Sequence, residues 1–304
     1  MMTENLNRIA LITGATGFVG THLSRRLVED GWDVHVIVRP GSDLTQIKKI
    51  LNQITVHEHD GSSDNMLSIM QAASPDIVFH LASLFLSNHQ PKDIGPLIAS
   101  NILFGTQLAE AMVNSDVYRL VNTGTFWQHY QNEDYNPVNL YAATKQAFED
   151  ILRYYTETTD LKAISLNLFD TYGPDDPRPK LFHLLNKAAE TGEPLDMSPG
   201  AQLIDLVHID DVTEAYIIAA QRLLDGKVSL HERYAVSSGH LMPLNELVQL
   251  YTEVTNQAVA VNWSARQYRN REVMVPWNRG QAIEGWSPKV KLEDGLRRVA
   301  KHAC

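Results

Sequence analysis

The sequence is poor in cysteine: its single cysteine is Cys304, the last of 304 residues. One cysteine excludes an intrachain disulfide framework and fits a reducing compartment. No apolar run reaches the length of about 18 residues that a membrane-spanning helix needs. The first residues, Met-Met-Thr-Glu-Asn, are too polar for a signal peptide. We therefore expect a cytoplasmic protein with no membrane partner.

Positive charge is also scarce. The chain has 26 basic and 36 acidic side chains, which gives a net charge of −10 with neutral histidines. Proteins that bind nucleic acid by neutralising its phosphates carry an excess of lysine and arginine, so we expect no nucleic-acid partner. Hydrophobic residues make up 44% of the chain, enough for a sizeable core. At roughly 150 residues per domain, the length allows two domains or one large α/β unit.

Short apolar runs rich in β-branched residues alternate with amphipathic helical patterns in the first part of the chain. The predicted strands are 8–13, 34–38, 54–56, 76–82, 118–121 and 163–169. The predicted helices are 18–31, 62–73, 93–114 and 140–158. This alternation predicts the α/β class, with a doubly wound (Rossmann) parallel sheet.

The alternation ends after Phe169. The segment 170–179 contains four glycine or proline residues and is predicted to be a loop. A helix over 180–191, a strand over 203–208 and a helix after Asp210 follow, and we interpret Asp210-Asp211 as a helix N-cap. We therefore predict a dinucleotide-binding domain over 1–168 and a smaller C-terminal α/β lobe over 169–304 that binds the substrate, with an interwoven boundary.

Three glycines, Gly14, Gly17 and Gly20, lie between the first predicted strand and the first predicted helix. In that position Gly14 allows a tight turn, Gly17 lets the backbone approach a pyrophosphate, and Gly20 lets the helix pack on the strand. The pyrophosphate is bound by the N–H groups and the dipole at the helix N-terminus. A plain strand-to-helix turn needs fewer glycines, so the pattern predicts a dinucleotide site.

The residue after the second strand indicates which dinucleotide is used. NAD sites usually have a carboxylate there for the ribose 2′-hydroxyl. This chain has Arg39, whose guanidinium pairs well with the 2′-phosphate of NADP(H). The alternative is an arginine that only contacts solvent. Asp60, after the third strand, suits the adenine edge, or is an exposed turn residue.

Tyr141 and Lys145 lie four residues apart at the start of a predicted helix, and so face the same way. Lowering the pKa of a tyrosine from about 10 to about 7 takes roughly 4 kcal/mol. One cation about 4 Å away supplies about that energy at an effective dielectric near 20. The pair therefore predicts a phenol with a lowered pKa that exchanges a proton near neutrality.

Two further polar positions are candidates for the same site. Thr125, at the end of the fifth strand, is a candidate to hydrogen-bond a substrate carbonyl, with Thr123 as the competing residue. Asn101 interrupts the apolar stripe of its helix and is either a satisfied core residue or part of a proton path.

Together these features resemble the short-chain dehydrogenase/reductase superfamily, in particular its extended branch that acts on nucleotide-linked sugars. The matching segments, in family order, are Gly14/Gly17/Gly20, 76–82, Asn101, Tyr141/Lys145, Tyr172-Gly-Pro174, 207–211 and 285–288. The resemblance implies that Thr125, Tyr141, Lys145 and Asn101 are catalytic. It also implies a cofactor site of Gly14, Thr16, Gly17, Phe18, Val19, Arg39, Asp60, Gly61, Leu81, Ala82, Tyr141 and Lys145. The implied substrate site comprises Thr125, Phe126, Trp127, Asp170, Lys180 and Arg271.

Departures from the family pattern narrow the expected reaction. Sugar dehydratases of this branch carry an Asp-Glu pair after the catalytic Ser/Thr, whereas this chain has Phe126-Trp127. Galactose-type epimerases usually have an acidic residue at the position of Arg39. The family's usual arginine is replaced by Ile204, and its Arg-x-x-Asn segment is replaced by Asn167-Leu-Phe-Asp170. Both changes lie where the nucleotide or sugar would bind, so the identities of the nucleotide base and the sugar stay undetermined. The chain looks most like 4-ketoreductases of the CDP-abequose/CDP-paratose synthase type.

The expected activity is therefore NADPH-dependent reduction of the 4-keto group of a nucleotide-diphosphate 4-keto-6-deoxy or 3,6-dideoxy hexose. The alternatives are a nucleotide-sugar epimerase, a reductase of a free ketone, and a non-catalytic NADP-binding sensor. The resemblance also implies a homodimer formed by helices 93–114 and 140–158. His57 and His59 share a strand face without a third ligand, so no metal site is expected.

Overall fold

A computed structural model of the chain describes residues 8–301. Twelve strands occur in this part of the chain: β1 Ile9–Thr13, β2 Asp33–Val38, β3 Ile54–Glu58, β4 Ile77–His80, β5 Arg119–Thr125, β6 Lys162–Leu168, β7 Asp170–Tyr172, β8 Leu195–Asp196, β9 Leu203–His208, β10 His231–Val236, β11 Leu241–Pro243 and β12 Val261–Asn262. Cys304 lies outside the described residues.

Nine α-helices occur in the same residues: α1 Phe18–Glu29, α2 Ser63–Ala73, α3 Ile94–Ile98, α4 Phe104–Val113, α5 Leu140–Thr158, α6 Leu181–Thr191, α7 Ile209–Leu224, α8 Leu244–Thr255 and α9 Leu292–Lys301. Short 3₁₀ helices cover 45–53, 91–93, 126–128 and 130–132. No helix in the described residues has the length and apolar character needed to cross a bilayer.

The central sheet has seven strands in the order β10-β6-β5-β4-β1-β2-β3. β1 pairs in parallel with β2 and β4, β2 with β3, and β4 with β5. The chain therefore moves outward through β1, β2 and β3, and then returns to the other side of β1 with β4. This order confirms the doubly wound α/β fold. Ligands of such sheets bind at the carboxyl ends of the strands, where the order reverses.

The described chain divides into two compact units. The first comprises residues up to Thr125, Asn139–Asn167 and Thr213–Tyr234, and the second comprises Phe126–Val138, Leu168–Val212 and the residues from Ala235. One division lies next to the boundary predicted at 168/169. However, Phe126–Val138, before that boundary, belongs to the second unit, and Thr213–Tyr234, after it, belongs to the first. Each unit is therefore built from separate stretches of chain.

The first unit has a core between its sheet and its helices. Buried apolar side chains of the strands, such as Leu11, Val78 and Leu120, pack with those of the helices, such as Met70 and Met112. At about 25 cal/mol per Å² of buried apolar surface, this layer is the main source of the unit's stability. It holds the sheet rigid, and with it the loops that follow each strand.

The second unit has its own core and its own small sheet. The strand order of that sheet is β11-β9-β7, and its apolar cluster includes Tyr172, Leu185, Leu247, Tyr251 and Leu296. The prediction that all of 170–179 is loop was wrong, because Asp170–Tyr172 pairs in parallel with β9. Its breakers begin only at Gly173, so the first three residues remain free to join a strand.

Asp210 and Asp211 do not cap a helix as predicted, because both lie within the first turn of α7. The buried Asp211 carboxylate accepts hydrogen bonds from the backbone N–H groups of Lys289 and Val290, at 2.9 and 3.1 Å. The indole Nε1–H of Trp286 donates to the Asp211 backbone oxygen at 2.8 Å. Asp211 therefore anchors the segment that leads to α9.

The helix predicted over 93–114 is present from Ile94 to Val113, but it is not a regular α-helix throughout. α3 is followed by a π-helical turn, Ala99–Leu103, and then by α4. π turns are uncommon and occur mainly as single turns within α-helices, frequently near functional sites. The buried Asn101 lies in the middle of this turn.

Candidate functional site

The glycine loop after β1 leaves no room for side chains at two of its three glycines. Gly14 has a positive φ of 74°, and a Cβ there would lie 2.6 Å from the backbone nitrogen of Ala82. A Cβ on Gly20 would lie 2.1 Å from the Gly14 carbonyl oxygen. The sequence therefore requires glycine at both positions, for the turn and for close packing of α1.

The N-terminus of α1 is open to an anionic ligand. Its cap residue, Gly17, is exposed and has no side chain that could bond the free N–H groups of the first turn, which begins at Phe18 and Val19. A pyrophosphate fits such a turn because the N–H groups and the helix dipole both favour negative charge. Thr16 lies in the loop that leads into this turn.

The loop after β4 lies against this turn. The N–H of Leu81 donates to the Thr13 backbone oxygen at 3.2 Å, and the N–H of Ala82 donates to the Thr13 hydroxyl at 3.1 Å. Pairing of β1 with β4 therefore brings Leu81 and Ala82 to Gly14, as the cofactor prediction requires. These residues fit a nicotinamide dinucleotide.

Arg39, Asp60 and Gly61 follow β2 and β3 at the same edge of the sheet. The Arg39 side chain is exposed, and its backbone N–H donates to the Ser42 hydroxyl at 3.1 Å. The Asp60 carboxylate accepts the Ser62 N–H at 2.8 Å, which lowers the pKa of Asp60, and Gly61 has a positive φ of 96°. Asp60 thus forms a turn, and its role at the adenine edge stays a prediction.

Tyr141 and Lys145 lie in the first two turns of α5, which is capped by the Asn139 side chain through the Ala142 N–H at 3.0 Å. Both are buried, and the exposed fraction of Lys145 is only 4%. The Phe85 ring meets the Tyr141 ring edge-on at 5.0 Å between centroids. The helix thus presents the phenol and the ammonium on one buried face.

The prediction that Lys145 lowers the pKa of Tyr141 to near neutrality was wrong. Burial raises the pKa of Tyr141 to about 12, and a hydrogen bond with Ser83 only partly opposes this effect. Burial also lowers the pKa of Lys145 to about 8, while the charge of Glu149 opposes it. Desolvation is the largest influence on both groups and disfavours the charged form of each, so Tyr141 keeps its proton at physiological pH.

The two candidate threonines of β5 have different surroundings. The Thr123 hydroxyl donates to the His80 backbone oxygen at 2.9 Å and lies 2.6 Å from the Tyr216 hydroxyl. Its hydrogen-bonding capacity is therefore used within the protein. Thr125 ends β5 at the carboxyl edge of the sheet, the position that the prediction requires.

Asn101 connects the loop after β4 with α5. Its amide oxygen accepts from the Leu84 N–H at 2.7 Å and from the Ser83 hydroxyl at 3.2 Å. Its amide nitrogen donates to the Leu84 backbone oxygen at 3.0 Å and to the Thr144 hydroxyl at 2.9 Å. Both polar atoms are therefore satisfied, which favours the core interpretation.

Ser83 is a site residue that the sequence reasoning missed. Its hydroxyl bonds both Asn101 and the Tyr141 hydroxyl, so it lies between the candidate acid and the candidate proton path. Its position just after β4 could have indicated it, because a hydroxyl residue at the carboxyl end of a strand is also what made Thr125 a candidate.

The second unit contains the remaining predicted substrate residues. Phe126 is buried and stacks on Phe169, with ring centroids 4.7 Å apart, whereas Trp127 is half-buried and lies 5.6 Å from the Arg269 guanidinium. Phe126 is therefore a support for the neighbouring residues. The partly accessible indole of Trp127 is the one of the two able to contact a ligand.

Arg271 is held in a defined place. Its guanidinium donates to the Asn136 side chain and lies 4.3 Å from the centroid of the Tyr130 ring. Its φ of 58° is unusual for a residue with a side chain. The buried Nε–H has no hydrogen-bond partner within the described part of the chain. A buried, unsatisfied guanidinium donor is suited to a phosphate oxygen.

Asp170 and Lys180 interact electrostatically in the same unit. Burial raises the pKa of Asp170, while Lys180, Arg178 and Arg269 oppose the increase. Burial lowers the pKa of Lys180, and Arg178 lowers it further, while Asp170 opposes both. The two predicted residues are thus brought together with further basic side chains.

The structure separates the histidines of the segment 57–60. His57 stacks on His35 of β2, with ring nitrogens 2.9 Å apart, whereas the buried His59 packs on Phe104 and bonds Asn65 at 3.1 Å. Among the residues described, no three His, Cys, Asp or Glu side chains are grouped to bind a metal.

A dinucleotide fold with a glycine turn, an exposed helix N-terminus and a Tyr-x-x-x-Lys pair defines a class of nicotinamide-dependent enzyme. Residues 10–231 match the NAD dependent epimerase/dehydratase family. The chain belongs to this family, the extended branch of the short-chain dehydrogenases/reductases.

Several relatives match along nearly the full chain. CDP-abequose synthase of Salmonella muenchen is 26% identical over 298 residues, which cover 97% of this chain and 98% of the relative. UDP-glucose 4-epimerase of Mycolicibacterium smegmatis is 27% identical over 317 residues, which cover 96% and 97%. The relatives thus include both a CDP-abequose synthase and a UDP-glucose 4-epimerase.

Solved structures show the same fold. UDP-glucose 4-epimerase of Thermotoga maritima superposes with a TM-score of 0.84 at 22% identity, covering 96% of this chain and 97% of that chain. The enzyme of the same name from Thermus thermophilus, in complex with NAD, gives 0.83 at 23% identity, covering 97% and 98%.

Proposed function

We propose that the protein reduces the 4-keto group of a nucleotide-activated 4-keto-6-deoxy or 3,6-dideoxy hexose with NADPH. The observation that carries the proposal is that Tyr141 and Lys145 lie one helical turn apart on α5 with both side chains buried. Reduction of a ketone needs a proton donor at the carbonyl oxygen, and a phenol with a pKa of about 12 is protonated throughout the physiological range.

Each group of the first unit has a defined part in this reaction. The bound nicotinamide supplies a hydride to the carbonyl carbon. Tyr141 gives its proton to the oxygen of that carbonyl, and the Ser83 hydrogen bond, which favours the phenolate, stabilises the tyrosine afterwards. Thr125 orients the carbonyl by a hydrogen bond, and Lys145 binds the cofactor ribose.

An epimerase is the second candidate, because UDP-glucose 4-epimerases are among the relatives. Epimerisation at C4 begins by oxidising the substrate hydroxyl, which needs a base to accept its proton. A phenol whose pKa is raised to about 12 already carries its proton at neutral pH and so is not available as that base. Arg39 also favours NADPH, a reductant that is consumed and exchanged.

The test is NADPH oxidation, followed by absorbance, with CDP-, dTDP-, UDP- and GDP-linked 4-keto-6-deoxy sugars. NADH, free ketones and UDP-glucose serve as comparisons. We expect turnover with one or two of the keto sugars. Interconversion of UDP-glucose and UDP-galactose without net NADPH oxidation would support the epimerase instead. NADPH binding without any turnover would support a sensor.

Arg271 is expected to bind the substrate diphosphate, because its buried Nε–H lacks a partner in the described residues. An Arg271→Lys variant keeps the charge but loses the fork of donors. Losing one charge-assisted hydrogen bond costs about 1.5 kcal/mol, so KM for the nucleotide sugar should rise about tenfold with kcat and NADPH affinity unchanged. Arg279→Lys, at an exposed arginine paired with Asp134, is the control.

The dimer expected from the resemblance has a candidate face on the first unit. Ile94, Ile98 and Leu103, on the segment that includes α3 and the π turn, are exposed, as is Tyr154 on α5; the exposed fractions of Leu103 and Tyr154 are 51% and 62%. Large exposed apolar side chains on neighbouring helices are typical of a protein interface.

A Leu103→Glu variant should therefore shift the protein from dimer to monomer in size-exclusion chromatography with light scattering, because it places a charge in an apolar contact. Leu51→Glu, at a similarly exposed leucine outside this face, should leave the mass unchanged. A wild-type monomer, or a variant that stays dimeric, would contradict the assignment.

A further inference from the structure

Lys145 lies above a second buried charge on the same helix. Glu149 is one helical turn further along α5, and the exposed fraction of its side chain is 1%. Residues four apart on a helix are neighbours on its surface. Burial lowers the pKa of Lys145 to about 8, and the Glu149 charge is the influence that opposes this lowering.

Glu149 forms an ion pair with a residue of β10, an edge strand of the central sheet. The Nε of Arg233, on β10, lies 3.1 Å from its Oε2, and the Arg233 side chain is 44% exposed. The arginine keeps contact with water, while the carboxylate has none. Lys145, Glu149 and Arg233 therefore form a row of alternating charge running from the buried site to the surface of the first unit.

Three further titratable groups near this row are neutral at physiological pH. His80, on β4, has a pKa lowered to about 3 by burial and by Lys145. His231, on β10, has a pKa lowered to about 4 by burial and by Arg233, and Tyr141 keeps its proton. Glu149, which is paired with Arg233, is therefore the charged group that opposes the desolvation of Lys145.

We infer that Glu149 is a positioning residue of the site: its carboxylate, fixed by Arg233, holds the Lys145 ammonium in its charged form against desolvation. The inference rests on the proposed role of Lys145 in binding the cofactor. A charged Lys145 donates hydrogen bonds to ribose hydroxyls and attracts the anionic dinucleotide, whereas a neutral amine does so weakly. Cofactor affinity should therefore fall as pH rises through the Lys145 titration.

The alternating charges predict the direction in which each substitution shifts the pKa of Lys145. Glu149→Gln removes the neighbouring negative charge, so the pKa of Lys145 falls and cofactor affinity is lost at lower pH. Arg233→Gln removes a positive charge behind the carboxylate, so the pKa of Lys145 rises and affinity persists to higher pH. A neighbouring opposite charge shifts a pKa by about 1 to 3 units, so we expect Glu149→Gln to move the midpoint by at least about one pH unit.

The experiment is a fluorescence titration of the full-length protein with NADPH between pH 6.5 and 10, expressed as a dissociation constant at each pH. NADH is titrated in parallel because it has no 2′-phosphate, so the ionisation of that phosphate cannot contribute to the pH dependence. Glu157→Gln is the matched control, since Glu157 forms an exposed ion pair with Arg153 on the same helix. Lys145→Arg, which stays charged, should abolish the fall in affinity.

Opposite shifts in the two variants, with an unchanged control, support the inference, since a purely structural salt bridge would weaken binding in both variants alike. Shifts in the same direction, an unshifted Glu149→Gln midpoint, or a pH-independent wild-type affinity would overturn it. If Glu149→Gln does not fold, Arg233→Gln alone tests the inference, because the pH midpoint of its loss of cofactor affinity must be higher than that of the wild type. Failure of every keto sugar would reject the proposed function but leave these titrations interpretable.

Discussion

Replacing Tyr141 by phenylalanine is expected to lower kcat for the keto sugar about 100- to 10,000-fold while leaving NADPH affinity within about twofold of wild type. The size follows from the usual contribution of a positioned general acid. Phenylalanine keeps the ring, its burial and its edge contact with Phe85, and removes only the proton donor.

The measurement compares steady-state turnover with the NADPH dissociation constant for the same preparation. Tyr118→Phe is the control, because the Tyr118 hydroxyl bonds the exposed Asp116 at 2.7 Å in another part of the first unit. Wild-type turnover in Tyr141→Phe would reject Tyr141 as the acid. A loss of both turnover and cofactor affinity would indicate a binding role instead.

The second large effect concerns cofactor choice. Arg39→Asp is expected to lower the ratio of kcat/KM for NADPH to that for NADH about 100-fold or more. On the proposed assignment of Arg39 to the 2′-phosphate, the variant loses a charge-assisted bond worth about 1.5 to 3 kcal/mol and adds a like charge beside the phosphate. It also supplies the carboxylate that suits the ribose 2′-hydroxyl of NADH.

The exposed side chain of Arg39 makes this a clean comparison, since its replacement disturbs no buried contact. Arg39→Ala should show an intermediate ratio, and Arg153→Ala, at an exposed arginine on α5, should keep the wild-type ratio. If wild type shows no preference for NADPH, Arg39 only contacts solvent and the cofactor assignment fails.

Local patterns predicted the fold well because each of them has a local cause. The alternation of apolar strands and amphipathic helices reflects burial on the two faces of one sheet. Glycine is needed at position 14 for its positive φ and at position 20 because a side chain there would collide with the Gly14 carbonyl oxygen. These constraints act over a few residues, and a single sequence displays them.

What escaped prediction depends on contacts between distant residues. The pKa of Tyr141 is governed by burial, which its spacing from Lys145 does not reveal. Glu149 and Arg233 are far apart in the sequence, and they form an ion pair because the strand order of the sheet places β10 next to β6. Ser83 joins Tyr141 and Asn101 through a loop whose course no periodicity describes.

The π turn at Ala99–Leu103 has a consequence for how the site is specified. A π turn is an α-helix with one residue inserted, and such a turn is less favourable than the regular helix it replaces. The insertion directs the Asn101 amide to Leu84 and Thr144 at once. The number of residues in this helix therefore matters as well as their identity: removing one residue from the turn restores a regular α-helix and rotates the Asn101 amide away from Leu84 and Thr144.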